Sequence, residues 1–168
     1  MSRPQVGSEG LPARVIEACR LAGVTLATAE SVTAGLVAAT LADVPGCSAV
    51  LRGGVIAYAT QTKARVLGLP EFALEHVVSA EVASLMAESA ASLLDATMAV
   101  ATTGVAGPDW LDGQPPGTAW IALHDRRGGG QTLVQRVQSS GDRARVRAEI
   151  VEQCLELVSR QIGQVARS

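Results

Sequence analysis

Two short segments of small and hydroxyl-bearing residues carry most of the chemistry this chain can offer. The first is Glu30-Ser31-Val32-Thr33-Ala34-Gly35, the second Thr103-Gly104-Val105-Ala106-Gly107-Pro108. The first leads into an Ala/Leu/Val-rich stretch with the look of a buried helix, residues 36–41. Free N–H groups at a helix start can hold an anion or a developing oxyanion. Glycines in the second segment let a ligand approach the backbone closely. Either alone reads equally well as a strand-to-helix turn; together at one crevice they favour a site. A third element is the pair Tyr58 and Lys63, the sole tyrosine and the sole lysine, set against thirteen arginines. Arginine replaces lysine wherever a permanent cation suffices, but it cannot give up its proton and so cannot act as a base. A serine hydroxyl beside a partly desolvated lysine amine is an activated nucleophile that needs no histidine.

Other catalytic arrangements are poorly supplied. His76 falls in a connection and His124 closes a strand, so a histidine-based triad is not expected. Asp109 and Asp112 share a long loop without partners in a metal-ligand spacing. Arg143, Arg145 and Arg147 crowd the start of the last helix after Gly141 and an Asp142 cap. Cations there oppose the helix dipole, so either Arg143 or Arg147, four apart on one face, clamps a phosphate or carboxylate, or the three form a solvated charged face.

The elements that must position these residues alternate along the chain. Helical spacing starts at Pro12 and Gly23 closes it. Strands are expected over residues 24–29, 49–58 (bulged near Gly53-Gly54), 97–102, 118–124 and 131–138, with helices over 61–67, from the Ser79 cap onward, and over 142–162. The first three strands are separated by helices and should run parallel with right-handed crossovers. A short loop joins the last two, and no helix fits between the third and fourth. The outcome is an α/β fold: a mixed five-stranded sheet between helices, order 2-1-3-4-5, with strand 4 antiparallel. Its ligand crevice would lie at the carboxyl ends of the first and third strands, where both segments sit. Residues 1–10 read as a flexible tail and 11–168 as a single domain.

Composition bounds the rest. With 168 residues, 14 basic against 16 acidic and 48% hydrophobic, the chain can build a real core. The near-neutral charge and four aromatic residues argue against broad nucleic-acid binding. No apolar run suits a membrane span, and no signal-peptide pattern opens the chain. Cys19, Cys47 and Cys154, odd in number and far apart, read as buried reduced thiols, which makes a cytoplasmic domain the expectation.

Ala29-Glu30-Ser31-Val32-Thr33-Ala34-Gly35, Tyr58 with Lys63, Thr103-Gly104-Val105-Ala106-Gly107-Pro108 and Gly141-Asp142-Arg143 occur in the order and spacing of a known family. Over residues 12–162 the chain resembles the C-terminal domain of CinA, the competence/damage-inducible protein, in its stand-alone PncC-type form without the larger N-terminal domain. The resemblance implies a three-layer α/β/α sandwich and a nicotinamide mononucleotide (NMN) amidohydrolase that needs no metal or cofactor. It implies Ser31 as nucleophile, Lys63 as base and Tyr58 as an orienting or proton-relaying group. Backbone donors near Thr33, Ala34 and Gly35, or near Thr103, Gly104 and Ala106, would hold the oxyanion, Gly107 would line the site, and Arg143 would take the phosphate. A homo-oligomer is compatible with this reading. The chain departs from the family pattern at Val32, Ala34, Asp109-Trp110-Leu111-Asp112 and Gln114. Against the amidase stand a catalytically silent nucleotide-binding or interaction domain, and an amidase or esterase for another carboxamide.

Overall fold

The structure, a computed structural model, describes residues 10–165. The expected tail therefore lies outside the described residues except for Gly10. In chain order the elements are α1 (Leu11–Leu21), β1 (Leu26–Glu30), α2 (Leu36–Ala42), β2 (Leu51–Ile56), α3 (Thr60–Leu67), α4 (Ala80–Leu93), β3 (Met98–Gly104), β4 (Thr118–Asp125), β5 (Gln131–Gln138) and α5 (Arg143–Val165). The sheet order is β2-β1-β3-β4-β5, with β1 parallel to β2 and β3, and β4 antiparallel to both its neighbours. This is the mixed sheet that the connections require.

Alternation along the strands sorts side chains into two cores of different texture. Leu26, Met98, Val100, Ile121 and Leu123 face α1, α2 and α5, and pack with Val15, Leu41, Ile150 and Val158. The opposite face is nearly all alanine: Ala27, Ala29, Ala99, Ala101 and Ala122 meet Ala83, Ala87, Ala90 and Ala91 of α4. Methyl groups on both sides let α4 lie close to the sheet, with α3 packed beside it. Among the described residues no helix is long and apolar enough to cross a membrane. Cys19 and Cys154 are buried free thiols, whereas Cys47 is only half-buried.

Three boundaries differ from the sequence expectation in ways that matter for the site. β1 ends at Glu30 rather than Ala29, so the strand delivers its last side chain directly before Ser31. β2 is shorter than expected, and its irregularity falls at Arg52: Leu26 pairs with Leu51 and Ala27 with Gly53. β3 runs on to Gly104, two residues further, because β4 pairs with it past the end of β1. The Asp142 cap is present, with its carboxylate accepting the Arg145 N–H at 2.8 Å.

Candidate active site

A cleft of about 400 Å³ opens at the carboxyl ends of β1 and β3, the switch point of the sheet. Ser31 sits at its floor, 8% exposed. The backbone of this residue is held on both sides: its N–H donates to the Thr102 carbonyl at 3.0 Å, and its carbonyl accepts from Ala34 at 3.1 Å. The chain leaving β2 is pinned alongside by Ala57, whose N–H donates to the Glu30 carbonyl at 2.8 Å. The first turns of α3 then carry Lys63 back over Ser31.

Lys63 is 1% exposed, the largest fully buried side chain among the described residues. Its Nζ lies 2.9 Å from Ser31 Oγ, 2.8 Å from the Ala57 carbonyl and 3.2 Å from the Tyr58 carbonyl. No carboxylate among the described residues is paired with it. Burial therefore pushes its pKa down to about 8, although the Asp112 charge pulls the other way. The Tyr58 side chain is half exposed, and its hydroxyl accepts from Arg143 at 2.6 Å. Thus the main-chain oxygen of Tyr58, not its phenol, meets Lys63.

The anion site expected at the start of α2 is already filled from within. The Glu30 carboxylate, 1% exposed, accepts the N–H groups of Gly35, Val37 and Ala38 at 2.9, 3.0 and 2.9 Å, and the Thr33 hydroxyl at 2.7 Å. Neither the Gly35 N–H nor the dipole of the helix is free for substrate. Thr33 is fully buried, and Ala34 is exposed outside the cleft. These three residues hold the turn after Ser31 and do not face the substrate space. Ala34 takes a left-handed conformation, φ 49°, that suits glycine better. Arg147 is committed here as well, donating to the Val32 and Thr33 carbonyls at 3.2 and 2.7 Å. Of the two arginines weighed for an anion, only Arg143 lines the cleft; it also donates to the Gly107 carbonyl at 2.8 Å.

The second glycine segment does reach the cleft: Thr103, Gly104, Ala106 and Gly107 all line it. Thr102 exchanges hydrogen bonds with β1, and Thr103 and Val105 face β4. Strand alternation therefore points the Gly104 N–H toward β1, beyond its last residue and beside Ser31. A Cβ at position 104 would come within 2.8 Å of the Thr118 carbonyl and 2.7 Å of Ala119 Cβ, so this close pairing demands glycine. Opposite, Thr103 Oγ donates to the Val77 carbonyl, and Asp112 accepts the Val78 N–H at 3.1 Å. These bonds tie the loop carrying Trp110 to the segment before α4.

Glu30 and Asp112 support the site in ways their residue types do not announce, and Arg147, an anion candidate by its place, serves instead to hold the Ser31 turn. The signal for Glu30 was its place: a carboxylate at a strand end, five residues before a helix. The contacts of Arg147 and Asp112 cross long sequence separations, so the partners leave no local signal. His76 is exposed outside the cleft, and His124 Nδ1 lies 2.8 Å from the Thr132 hydroxyl near the far end of the sheet. Among the described residues no three His, Cys, Asp or Glu side chains are grouped to hold a metal ion.

Comparison with known proteins identifies the family and the fold. The family described as the CinA C-terminal domain matches residues 8–162. A CinA-like protein of Frankia casuarinae is 45% identical over 146 residues, covering 86% of this chain and 33% of its own length. A putative competence-damage inducible protein of Geobacillus kaustophilus is 41% identical over 141 residues, 83% of this chain and 34% of its own. The chain thus spans about a third of the length of these curated relatives. Among solved structures, a CinA superfamily protein of Klebsiella pneumoniae superposes with TM-score 0.87 at 31% identity, covering 92% of this chain and 96% of its own. A competence/damage inducible protein from Agrobacterium tumefaciens gives 0.84 at 32%, covering 94% and 97%.

Proposed function

The chain belongs to the family of CinA C-terminal domains, and from that premise we propose that it is a nicotinamide mononucleotide amidohydrolase of pyridine nucleotide salvage in the cytoplasm. One observation carries the reading: a buried, uncompensated lysine whose Nζ lies 2.9 Å from a serine hydroxyl at the floor of a mononucleotide-sized cleft.

In the neutral amine, the two N–H bonds go to the Ala57 and Tyr58 carbonyls, which leaves the lone pair for the Ser31 hydroxyl. Lys63 takes that proton as Oγ attacks the carboxamide carbon. The carbonyl oxygen becomes an oxyanion, for which the Gly104 N–H at the strand edge beside Ser31 is the donor in this reading. The Lys63 ammonium then protonates the amide nitrogen, the C–N bond breaks and ammonia leaves an ester on Ser31. Water enters, gives a proton to Lys63 and attacks the ester. Collapse returns the proton to Ser31 Oγ and releases nicotinic acid mononucleotide. Arg143 holds the phosphate at the rim.

The test is ammonia release from NMN by the purified protein, with Ser31→Ala and Lys63→Arg alongside. Wild type should release ammonia, and both variants should be inactive while folded. A protein that leaves NMN intact between pH 6 and 10, or a fully active Lys63→Arg, would overturn the reading. Binding of NMN without turnover would point instead to a nucleotide-binding domain.

A further inference from the structure

The charged side chains lining the cleft are separated by kind. Lys63 is at the floor and Arg143 on one side of the rim, fixed to Tyr58 and Gly107. Asp109 and Asp112 lie on the loop that also carries Trp110. Asp112 is occupied by the Val78 N–H, but the Asp109 carboxylate makes no hydrogen bond or ion pair with any described residue. Trp110 borders the cleft and is 68% exposed, an indole left largely open. The cleft is thus lined by a fixed cation, Arg143, and by an exposed indole next to a free carboxylate, Trp110 and Asp109.

Resting on the amidase reading, we infer that this cleft selects a zwitterion: Trp110 and Asp109 hold a permanently cationic pyridinium ring while Arg143 holds an anionic phosphate. The chemistry of the substrate places the ring there. The reacting carboxamide is bonded directly to the ring, and Ser31 is at the floor, 8% exposed. With the amide at Ser31, the ring must fill the space between floor and rim that Trp110 borders. An N-ribosylated pyridinium carries its charge at every pH. An indole face attracts it through the ring quadrupole, and a nearby carboxylate adds to the attraction. A neutral ring of the same shape gains neither.

The test compares NMN with its reduced dihydropyridine form, which keeps the ribose phosphate but has a neutral ring. Affinities are measured by calorimetry in the Ser31→Ala background, with Trp110→Ala, Trp110→Tyr and Asp109→Asn added singly. The parent should prefer NMN over the reduced form by about tenfold or more. Trp110→Ala and Asp109→Asn should each lower NMN affinity by about threefold to thirtyfold and leave the reduced form within about twofold. Trp110→Tyr should restore most of the preference. Equal binding of the two forms by the parent, or equal loss of both in the variants, overturns the inference. Hydrolysis of NMN by wild type is scored separately. Turnover without ring selectivity removes this inference alone, and ring selectivity without turnover removes the amidase reading alone.

Discussion

Raising the pH from 7 to 9 should increase kcat/KM for NMN about tenfold, because the base becomes available over that interval. With the Lys63 pKa at about 8, roughly 9% of the amine is neutral at pH 7 and roughly 91% at pH 9. The substrate phosphate, with a second pKa near 6, is already dianionic there and adds no slope of its own. Asp112 supplies the internal control. Its charge holds the Lys63 pKa above where burial alone would leave it, so Asp112→Asn should move the rising limb to lower pH. Asparagine keeps an acceptor for the Val78 N–H, and the loop should stay in place. The assay is initial-rate ammonia release from pH 6.5 to 9.5 at constant ionic strength. A flat or falling profile between pH 7 and 9 would refute the reasoning, as would a limb that Asp112→Asn moves upward. Stability carries the same sign. Between about 8 and the ordinary lysine value of 10.5, the unfolded chain keeps a proton that the folded chain has released, so folding strengthens as pH rises through that window. Lys63→Met should remove this slope from denaturant melts.

Three further substitutions address the scaffold. Glu30→Ala leaves the Gly35, Val37 and Ala38 N–H groups without their acceptor and should cost about 2–4 kcal/mol. In a thermal melt that is a fall in Tm of roughly 5–15 °C, and a change below about 2 °C would exclude the capping role. Ala34→Gly relieves the left-handed strain at φ 49° against the greater freedom of glycine in the unfolded chain, for a net gain of about 0.5 kcal/mol seen as a slightly raised Tm. Arg147→Ala releases the Val32 and Thr33 carbonyls and should lower kcat about tenfold to a hundredfold through a loosened Ser31 turn. KM should stay nearly constant; a raised KM with unchanged kcat would mark Arg147 as a phosphate ligand instead.

What the sequence discloses here, and what it hides, follows from the range of the interactions. Strand directions and sheet order were legible because two connections have room for a crossover helix and two do not. The Ser31–Lys63 meeting was legible because both residues sit at the ends of neighbouring parallel strands, a few residues beyond fixed points. The start of α2 differs from what its residues suggest. A serine, a threonine and two small residues before a helix look like an open anion site, and only the placement of the Glu30 side chain, buried on the α2 side of the sheet, closes it. Arg143 and Arg147 are equivalent in sequence, one helical turn apart, and differ only in what stands opposite. Arg143 faces Tyr58 and Gly107, while Arg147 faces carbonyls more than a hundred residues away. The reach of Gly104 was hidden for a similar reason, since the end of β3 is set by β4, which comes later in the chain.

The surroundings of Lys63 bear on how readily a proton could move through this site. An ammonium offers three N–H bonds, and it finds three oxygens: the Ala57 carbonyl, the Tyr58 carbonyl and Ser31 Oγ. An amine offers two, which the carbonyls still accept, and its lone pair then faces the hydroxyl. Both charge states are satisfied by one arrangement of heavy atoms, so proton exchange between Ser31 and Lys63 requires only that a hydrogen change owners. With no side chain to swing, the barrier to that exchange carries little reorganisation of the protein. Burial weakens the lysine as a cation, while the three oxygens around it make its two states structurally interchangeable.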